Sequence, residues 1–570
     1  MNEQGPTAET PQASIPTDGK PQKPTHWIWS LLKWSPIVFV PALVGVILWA
    51  MYFLDSLYGP AIQNAIAFGA SVLLSLMLIV WFTLCAPLGR SAVLGFWILL
   101  ICGGAGFAAS VESISFSGDM YLTIRYRWKE GTMERLKERS GPSEADIAVS
   151  NSLNFSDYRG PLRDGHISGP NLKQNWQSPE IQETWRIPVG DGYAGVTVVG
   201  NMVLTLEQRE DAEALICLDR ETGQLIWEHS YTARFFEAMG GLGPRSTPVI
   251  SGETVITQGA TGEIYCLNLE NGEVVWNRNF LTENEYPNIT WGLSSSPLIV
   301  DQLVYVNAGG PQGKGMAALN VLNGEVVWSD FEPFPTDAKP GALNFAGYSS
   351  PMLAELCGKT QLLHFDGIGI RSYEPMTGEE LWFSKFGNGA GVSVAQPLTI
   401  EQDKLFLSES YGVGSALLQL TAPTEEQQNW KVETLWHEER VMRSKFTCPV
   451  LIDNYVYGLD EGILSCVDPL TGKRVWRKER LGHGQVLVSN NQLLILSEKG
   501  ELVLVNPTPE RYDEITRLKV LTQSARNWNP PTLHEGEVYV RDEFELARYD
   551  LGQTQNDSPD NETNDKQNAE

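Results

Sequence analysis

A unit of about fifty residues recurs along the central part of the chain, and this repeat restricts the possible folds more than any other feature. In each copy an alternating apolar segment leads into Asp, Asn or Glu, then Thr-Gly or Asn-Gly three residues later, and a Trp stands four residues after the Gly. The five copies are ALICLDRETGQLIWEHSY (214–231), EIYCLNLENGEVVWNRNF (263–280), MAALNVLNGEVVWSDF (316–331), GIRSYEPMTGEELWFSKF (369–386) and ILSCVDPLTGKRVWRKER (463–480).

The shared Gly and Trp predict how each unit is built and how the units pack. A tight hairpin needs a positive φ at one turn position, which Gly adopts without steric cost. The turn glycines are Gly223, Gly272, Gly324, Gly378 and Gly472. A large ring at one place in every unit suits packing of one unit on the next. The repeat tryptophans are Trp227, Trp276, Trp328, Trp382 and Trp476, with Trp436 in a copy whose turn is longer and Trp185 ahead of the first copy.

The units also begin alike, which sets the number of strands in each. A small residue and a Pro precede an apolar strand, a polar turn and a second strand, as in STPVISGETVITQG (246–259). With the two strands around the Gly turn this makes a four-stranded sheet, and such sheets repeating every 40–50 residues are typical of a β-propeller. We predict an all-β propeller of eight blades over residues 155–552, with seven blades as the alternative. The predicted blades are 194–230, 245–280, 292–331, 345–386, 393–439, 445–480, 484–510 and 529–552, the last completed by 183–190.

The first 111 residues have a different character and predict three transmembrane helices. Uncharged apolar runs occupy about 36–54, 65–86 and 91–111, each long enough to cross a bilayer core. A cleaved signal peptide is the alternative for the first run, which is long for one and is followed by two more. We predict a disordered tail at 1–32, a membrane domain at 33–111, a juxtamembrane linker at 112–154 and a disordered acidic tail at 553–570.

The distribution of positive charge predicts the orientation. Lys20, Lys23 and Lys33 precede the first run and Arg90 lies between the second and third, which favours a cytoplasmic N-terminus by the positive-inside rule. Three spans would then place the propeller outside the cytoplasm. Arg125, with Arg127 and Lys129, follows the third run and opposes this orientation, although folded domains cross membranes largely regardless of charge. We expect a multi-pass protein of an inner or plasma membrane in a bacterial cell envelope.

Charge and metal-ligand spacing exclude several classes of function. The formal net charge is −27, and because residues 1–111 sum to zero, all of it belongs to residues 112–570. Binding to duplex nucleic acid needs a basic surface, so we expect no nucleic-acid partner. The seven Cys form no C-x-x-C pair and the seven His form no H-E-x-x-H motif, which disfavours metal catalysis.

The repeat pattern resembles the quinoprotein-type, PQQ-like propeller repeat, over about residues 155–552. The segment FSDYRGPLRDGHISGP (155–170) resembles the Arg-Gly-Pro and Arg-Asp-Gly lead-in of bacterial proteins of this kind. The resemblance implies a propeller fold, but the family includes both PQQ-dependent alcohol or sugar dehydrogenases and non-enzymatic members that act in outer-membrane assembly. The fold alone therefore does not decide the function.

The resemblance implies no catalytic, cofactor or metal residue in this chain. The dehydrogenases of the family carry an adjacent Cys-Cys disulfide against the quinone and a Ca²⁺ held by Glu, Asn and Asp. This chain has no Cys-Cys dipeptide. Cys217, Cys266 and Cys466 instead take one equivalent strand position in three blades, which is typical of small buried residues. PQQ with Ca²⁺ is expected only if the chain is an oxidoreductase.

Candidate ligand-binding residues lie near the propeller axis. The residues just before the first strand of successive blades mix aromatic, amide and cationic groups, which suits a polar or anionic ligand in an axial funnel. They are Arg245, Trp291, Tyr348, Gln396, Lys445 and Asn527. The alternative is that they are solvated loop residues or form hydrogen bonds between blades.

These observations favour a membrane-anchored binding or scaffold module over an enzyme. The expected partner of the propeller is a protein, a peptide or a cell-envelope ligand, and three helices would contact the lipid bilayer. The alternative is a PQQ-dependent, membrane-bound oxidoreductase resembling alcohol or sugar dehydrogenases.

Overall fold

The computed structural model describes residues 34–49, 60–85, 89–128, 131–137, 139, 157–178, 181, 183–334, 345–389, 391–524 and 526–553. The predicted tail at 1–32, all of the predicted tail at 553–570 except residue 553, and residues 129–130, 138 and 140–154 of the predicted linker lie outside these residues. The described chain divides into two compact units, residues 1–53 with 65–106 and residues 54–64 with 107–570.

Two helices of the N-terminal region are long and apolar enough to cross a membrane. They are α2 (Pro60–Leu84) and α3 (Arg90–Ser110), of 25 and 21 residues. The preceding helix, α1 (Pro36–Trp49), has 14 described residues and therefore rises about 21 Å, less than the ~30 Å hydrocarbon core. The predicted first span continues to residue 54, beyond the described residues. The structure thus gives two membrane-length helices where three spans are predicted.

Eight blades of four antiparallel strands follow one another in the described part of the chain, and a short parallel strand extends one of these sheets. The predicted eight-bladed propeller is therefore confirmed, and the seven-bladed alternative is wrong. The first strands of neighbouring blades lie against each other and line the central channel. The strands of blades 1 to 4 are Thr197–Val199, Met202–Arg209, Ala212–Asp219 and Leu225–Thr232; Val249–Ser251, Thr254–Gln258, Glu263–Asn268 and Val274–Asn279; Leu298–Val300, Leu303–Asn307, Met316–Asn320 and Val326–Ser329; Met352–Leu356, Lys359–Phe365, Gly369–Tyr373 and Glu380–Lys385.

The other half of the ring includes the closure. The strands of blades 5 to 7 are Leu398–Ile400, Lys404–Glu409, Gly414–Thr421 and Lys431–Glu438; Val450–Ile452, Tyr455–Asp460, Ile463–Asp468 and Lys473–Arg480; Gln485–Ser489, Gln492–Leu496, Glu501–Asn506 and Asp513–Lys519. Blade 8 joins Thr532–His534, Glu537–Arg541 and Glu545–Asp550 to Glu183–Pro188 from the start of the propeller. The predicted pairing of the two ends in one blade is confirmed, and it leaves the ring without an open sheet edge between first and last blade.

The hydrophobic core is distributed around the ring rather than concentrated at one centre. Eight clusters of buried apolar side chains each join two adjacent blades, including the cluster that joins blade 8 to blade 1. Burial at about 25 cal/mol per Å² of apolar surface therefore stabilises every blade through its two neighbours.

The repeat tryptophans lie at these interfaces. Six of them donate the indole N–H to a backbone carbonyl in the turn of the following blade, at 2.7–3.0 Å: Trp185, Trp227, Trp276, Trp328, Trp436 and Trp476. Gly378 has a φ of +73°, and a Cβ there would come 2.4 Å from the Trp328 ring, so this turn requires Gly. Trp382 instead bonds Gln361 of its own blade at 2.8 Å, because blade 5 has the longer turn.

Three smaller elements complete the described fold around the channel. A hairpin of Val111–Phe116 and Leu122–Tyr126, here called the juxtamembrane hairpin, is followed by the short helix Thr132–Leu136. Phe236–Glu237 pairs with Gly241–Leu242 to form a second, small hairpin, the rim hairpin, after blade 1. The lead-in segment, residues 157–167, ends in the strand His166–Ile167, which runs parallel to the first strand of blade 7. A helical turn, Phe280–Glu283, follows blade 2, and a 3₁₀ turn, Pro311–Gly313, lies between the second and third strands of blade 3.

Candidate binding site at the propeller mouth

The mouth is defined here as the end of the channel formed by the residues just before the first strand of each blade. Three of the six predicted funnel residues lie together on one side of it. The Trp291 and Tyr348 rings are 5.7 Å apart between centroids, and the Tyr348 hydroxyl accepts a hydrogen bond from the Trp291 backbone N–H at 3.3 Å. Arg245 donates to the Gly240 carbonyl at 2.7 Å and lies 4.7 Å from the Phe235 ring. Burial lowers the pKa of Arg245 to about 10, so the guanidinium stays charged at neutral pH.

Lys445 faces the mouth from the other side of the ring. Its ammonium lies 5.4 Å from the Tyr411 ring and 5.5 Å from the Phe446 ring, and it donates to the Gly118 carbonyl at 2.5 Å. Burial lowers the pKa of Lys445, an effect that nearby acidic groups including Glu461 oppose.

The remaining two predicted residues are fully buried between blades. Gln396 accepts from the Ser349 hydroxyl at 2.5 Å, and Asn527 donates to the Glu498 carbonyl at 2.8 Å. Both residues therefore form hydrogen bonds between blades, which is the alternative considered in the sequence analysis. Within the described residues, neither forms a hydrogen bond with Arg245 or Lys445. Four of the six predicted residues thus lie at the mouth, and the other two, Gln396 and Asn527, are buried between blades.

Two further residues occupy the same position in blades 1 and 7. They are Tyr193 and His483, which stand just before Thr197 and Gln485. Both stand just before the first strand of a blade, as the six predicted residues do, so the same sequence pattern predicts them. Rings connect them around the mouth, because Trp528 lies 5.3 Å from Tyr193 and 4.6 Å from Phe446, which in turn lies 5.7 Å from His483.

The tip of the juxtamembrane hairpin is bound in the mouth as a peptide turn. Its Gly118 backbone N–H donates to Glu498 at 3.1 Å, while the Gly118 carbonyl accepts from Lys445. The Asp119 carboxylate pairs with His483 at 3.0 Å and with Arg480 at 3.5 Å. Three kinds of peptide group, an amide N–H, a carbonyl and a carboxylate, are thus bound by residues of blades 6 and 7.

Electrostatics favour the ionised form of Asp119 in this position. Burial alone would raise the pKa of Asp119, but the hydrogen bond from His483 and the charges of His483, Arg480 and Lys445 hold it below the ordinary 3.8. The sequence could have indicated a hairpin here, since Ser-Gly-Asp separates two alternating segments. It carried no sign of the partner, which lies 364 residues away.

The base of the hairpin and the helix after it contact blades 8 and 1. Arg125 pairs with Asp191 at 2.8 Å, and Thr132 donates to the other oxygen of Asp191 at 2.7 Å. Arg139 bonds both oxygens of the fully buried Glu207 at 3.1 Å. The pKa of Glu207 is low because Arg139 and other neighbouring donors outweigh its burial. The hairpin is therefore attached to the propeller at its tip and at its base.

A cavity of about 590 Å³ opens between the hairpin base and blades 8 and 1. This cavity, here called the mouth cavity, is lined by four arginines, two glutamates and apolar side chains: Arg125, Arg135, Arg186, Arg526, Glu543, Glu545, Ile124, Ile187, Phe236, Leu242 and Phe544, with smaller polar residues between them. Its size falls in the range of small-molecule sites, about 300–1,000 Å³. Sequence reasoning missed it, because residues from four separate parts of the chain form it.

The lead-in segment lies across the channel beneath the mouth. Arg163, which is 1% exposed, donates to the carbonyls of Ser296 and Pro351 at 3.0 and 2.9 Å and also bonds Pro297. These carbonyls belong to the approaches to blades 3 and 4. Arg159, at the other end of the segment, donates to the Val486 carbonyl of blade 7 at 2.9 Å. The segment thus ties opposite sides of the ring together.

The described residues contain no disulfide of the kind that the dehydrogenases of the family carry against the quinone. All seven Cys are free, and Cys217, Cys266 and Cys466 lie buried in blades 1, 2 and 6. They therefore supply no counterpart of an adjacent-Cys disulfide. Within the described ranges, no group of three or more His, Cys, Asp or Glu side chains is placed to hold a metal ion.

Comparison with known proteins identifies relatives of the propeller. The sequence profile of the family described as outer membrane protein assembly factor BamB matches residues 173–279, 217–461 and 460–555, more than half of the chain. BamB of Yersinia pestis is 24% identical over 394 residues, covering 67% of this chain and 84% of that protein. An uncharacterized protein of Rickettsia prowazekii is 32% identical over 117 residues, 20% of this chain. This match spans 26% of the Rickettsia prowazekii protein, and a similar one spans 27% of a protein of Rickettsia conorii.

Solved structures that are similar to this chain share little sequence with it. BamB from Moraxella catarrhalis has 16% identity and a TM-score of 0.32, over 65% of this chain and 84% of that one. A europium-containing methanol dehydrogenase has 13% identity and a TM-score of 0.39, over 66% of this chain and 88% of that one.

Proposed function

The chain belongs to the family of the outer membrane protein assembly factor BamB, with its PQQ-like propeller, and we propose that it is a membrane-anchored binding module whose propeller mouth holds a protein partner. The observation that carries this proposal is the bound hairpin tip. An amide N–H, a carbonyl and a carboxylate of Gly118 and Asp119 are each bound by a different propeller side chain. The mouth thus binds a peptide turn at blades 6 and 7, and we propose that its free side binds a turn of another protein.

The free side of the mouth has the composition of a protein-binding surface. On the rim hairpin, Phe236 and Met239 are 45% and 44% exposed, beside the Trp291–Tyr348 pair and Arg245. Aromatic residues, Met and Arg are enriched in the central parts of protein interfaces, where a few such side chains supply most of the binding energy. We place the partner on this side, because the hairpin tip occupies the mouth at blades 6 and 7.

The membrane helices would keep the propeller at a membrane surface. We propose that the run at 36–54 completes a third span with α1 as its described part, so that the N-terminus is cytoplasmic and the propeller is extracytoplasmic. The name of the Yersinia pestis relative refers to outer-membrane assembly, which supports a partner in the cell envelope. A reporter enzyme fused after residue 552 tests the orientation. Activity of an exported reporter is expected, and activity of a cytoplasmic reporter would contradict it.

Site-specific photo-crosslinking in cells tests the partner proposal directly. A photoreactive amino acid at Met239 or Trp291 should yield a discrete crosslinked protein, while the same amino acid at the exposed Glu425 on a loop of blade 5 serves as the matched control. The Met239→Asp change should reduce crosslinking through position 291 at least tenfold, since it places a charge in an apolar contact. Equal crosslinking from positions 239 and 425 would contradict the proposal.

The alternative function, a PQQ-dependent oxidoreductase, is tested on the same purified chain. We propose that no quinone is used, because the free cysteines supply no disulfide for it. Addition of PQQ and Ca²⁺ should therefore give neither stoichiometric quinone absorbance nor dye-linked oxidation of alcohols or sugars. Stoichiometric binding with turnover would replace the binding-module proposal.

A further inference from the structure

The mouth cavity contains guanidinium groups whose hydrogen-bonding capacity is not used within the described residues. Buried nitrogens without a hydrogen-bond partner include Nη2 of Arg125, Nε of Arg135, and Nε and Nη1 of Arg526. The Arg526 side chain is only 6% exposed and lines the cavity. A charged donor that is buried and unpaired is destabilising, so these groups favour a ligand that accepts from them.

Arg135 is the least compensated of these cations. It donates to the Phe544 carbonyl and to Thr132, both at 3.2 Å, and among the described residues it forms no ion pair with a carboxylate. Arg125 lies beside it, since both guanidinium carbons are 4.7 Å from the centre of the Phe544 ring. Burial lowers the pKa of Arg135, and the charge of Arg125 lowers it further, while the charges of Asp191, Asp542 and Glu543 oppose the effect without reversing it.

The two glutamates of the cavity form their ion pairs with other arginines. Glu543 accepts two hydrogen bonds from Arg526, at 2.9 and 3.0 Å. Glu545 lies 2.8 Å from Arg186. Each of these two carboxylates thus pairs with another arginine, and Arg186 also pairs with Glu183, while Arg135 has no carboxylate partner within hydrogen-bond distance among the described residues.

Apolar side chains form another part of the cavity wall. Ile124 of the hairpin, Ile187 of the closing strand, Leu242 of the rim hairpin and the Phe544 ring all face the same space. A ligand that fills it therefore needs both an anionic group for the arginines and an apolar body for this wall. Guanidinium groups match carboxylate and phosphate oxygens, which accept from two N–H groups at once.

We propose that the mouth cavity binds an amphiphilic ligand with one oxyanion group, a phosphate or a carboxylate, whose oxygens accept from Arg135 and Arg125 and whose apolar body lies against Ile124, Ile187 and Leu242. This site does not depend on the protein partner proposed above. Crosslinking through Met239 and ligand binding in the cavity are separate measurements, and either can fail alone.

Calorimetry on the full-length chain, held in a polymer belt instead of detergent, tests the proposal with octyl phosphate as the probe. Saturable binding is expected for octyl phosphate. Octanol should not bind, because it lacks the anionic group, and inorganic phosphate should bind more weakly, because it lacks the alkyl chain. Octanol binding with the affinity of octyl phosphate would overturn the proposal, because it would show that the arginines take no part.

Matched variants locate the site. Arg135→Gln should weaken octyl phosphate binding about tenfold, the loss expected for one charge-assisted hydrogen bond. Lys137→Gln removes the same charge two residues away at a side chain that is 70% exposed and outside the cavity, and it should change the affinity less than twofold. Equal affinities of the wild type and the Arg135→Gln variant would overturn the proposal. Both variants should keep the wild-type thermal unfolding midpoint, since Arg135 lies on a short helix outside the blades.

A second comparison identifies the source of the ligand. The chain is placed in bilayer discs of phosphatidylcholine alone or of phosphatidylcholine with phosphatidylglycerol, and octyl phosphate is titrated into each. Octyl phosphate should bind more weakly in the anionic discs if a lipid headgroup is the natural ligand, because the headgroup competes for the site. The Arg135→Gln variant should then show no difference between the two kinds of disc. Equal binding in both discs supports a soluble oxyanion.

Discussion

The lead-in segment and the tip of the juxtamembrane hairpin both lie in the propeller channel, but different groups hold them. In the lead-in segment, Arg159 and Arg163 donate to backbone carbonyls, which do not titrate. At the hairpin tip, the Asp119 carboxylate is bound by two ionisable side chains, those of His483 and Arg480. The first attachment depends only on folded blades, whereas the second depends also on pH and salt. The difference separates a permanent part of the ring from a part that solution conditions can release.

The largest effect is expected for Arg163→Met. The change removes a buried cation and leaves the carbonyls of Ser296, Pro297 and Pro351 without their donor. We expect the free energy of unfolding to fall by about 3–5 kcal/mol, measured by urea titration. Arg511→Met, at a side chain that is 74% exposed, is the control and should change it by less than about 0.5 kcal/mol. Equal stability of the two variants would show that the lead-in segment does not hold the ring.

A smaller and local effect is expected for Asp119→Asn. The amide keeps the shape but loses the charge that faces His483 and Arg480. We expect about 1–3 kcal/mol less protection of the hairpin, residues 111–126, in hydrogen exchange, while the blades keep theirs. Loss of protection throughout the propeller would contradict the separation of the two attachments.

Acid should reproduce this effect without a mutation. Because the pKa of Asp119 in the folded protein lies below 3.8, its contribution is present above pH 3.8 and is lost as the pH falls through the lowered value. Hydrogen exchange at decreasing pH should therefore release the hairpin tip before the lead-in segment. The Asp119→Asn variant is the control, since its hairpin protection should lack this titration. Simultaneous release of both segments would contradict the comparison.

The smallest effect is expected for Arg480→Gln. Arg480 is 40% exposed and its nearest nitrogen lies 3.5 Å from Asp119, so solvent screens the pair. We expect a change of less than about 1 kcal/mol in hairpin protection, and a smaller one at high salt. A loss as large as that of Asp119→Asn would mean that Arg480, rather than His483, binds the carboxylate.

Local sequence patterns predict the parts of the fold that depend on local geometry. Gly378 and its equivalents predict the blade turns because a positive φ leaves few other residues possible. Trp185, ahead of the first repeat, predicts the strand that completes blade 8, and the structure confirms it. The apolar runs likewise predict α2 and α3.

The candidate site follows less from local pattern. The sequence pattern was sufficient to predict Tyr193 and His483, because they stand just before the first strands of blades 1 and 7, as Arg245 and Tyr348 do in blades 2 and 4. The binding of Asp119 by His483 could not be predicted from the sequence, since nothing near either residue indicates a partner 364 residues away. The uncompensated charge of Arg135 similarly depends on which carboxylates the folded chain leaves for it.

The closing blade has a consequence for the order of events during synthesis. The strand Glu183–Pro188 is made early, but its partner, Glu545–Asp550, is made some 360 residues later. At about 5–20 residues per second, the early strand waits on the order of half a minute with an unpaired edge, which is a hazard for aggregation. The neighbouring bonds of Lys173 to Leu551 and of Gln553 to Asn171 can form only then. Ring closure therefore cannot precede the synthesis of residues 545–550, and a chain that ends before residue 545 lacks the strand that pairs with Glu183–Pro188.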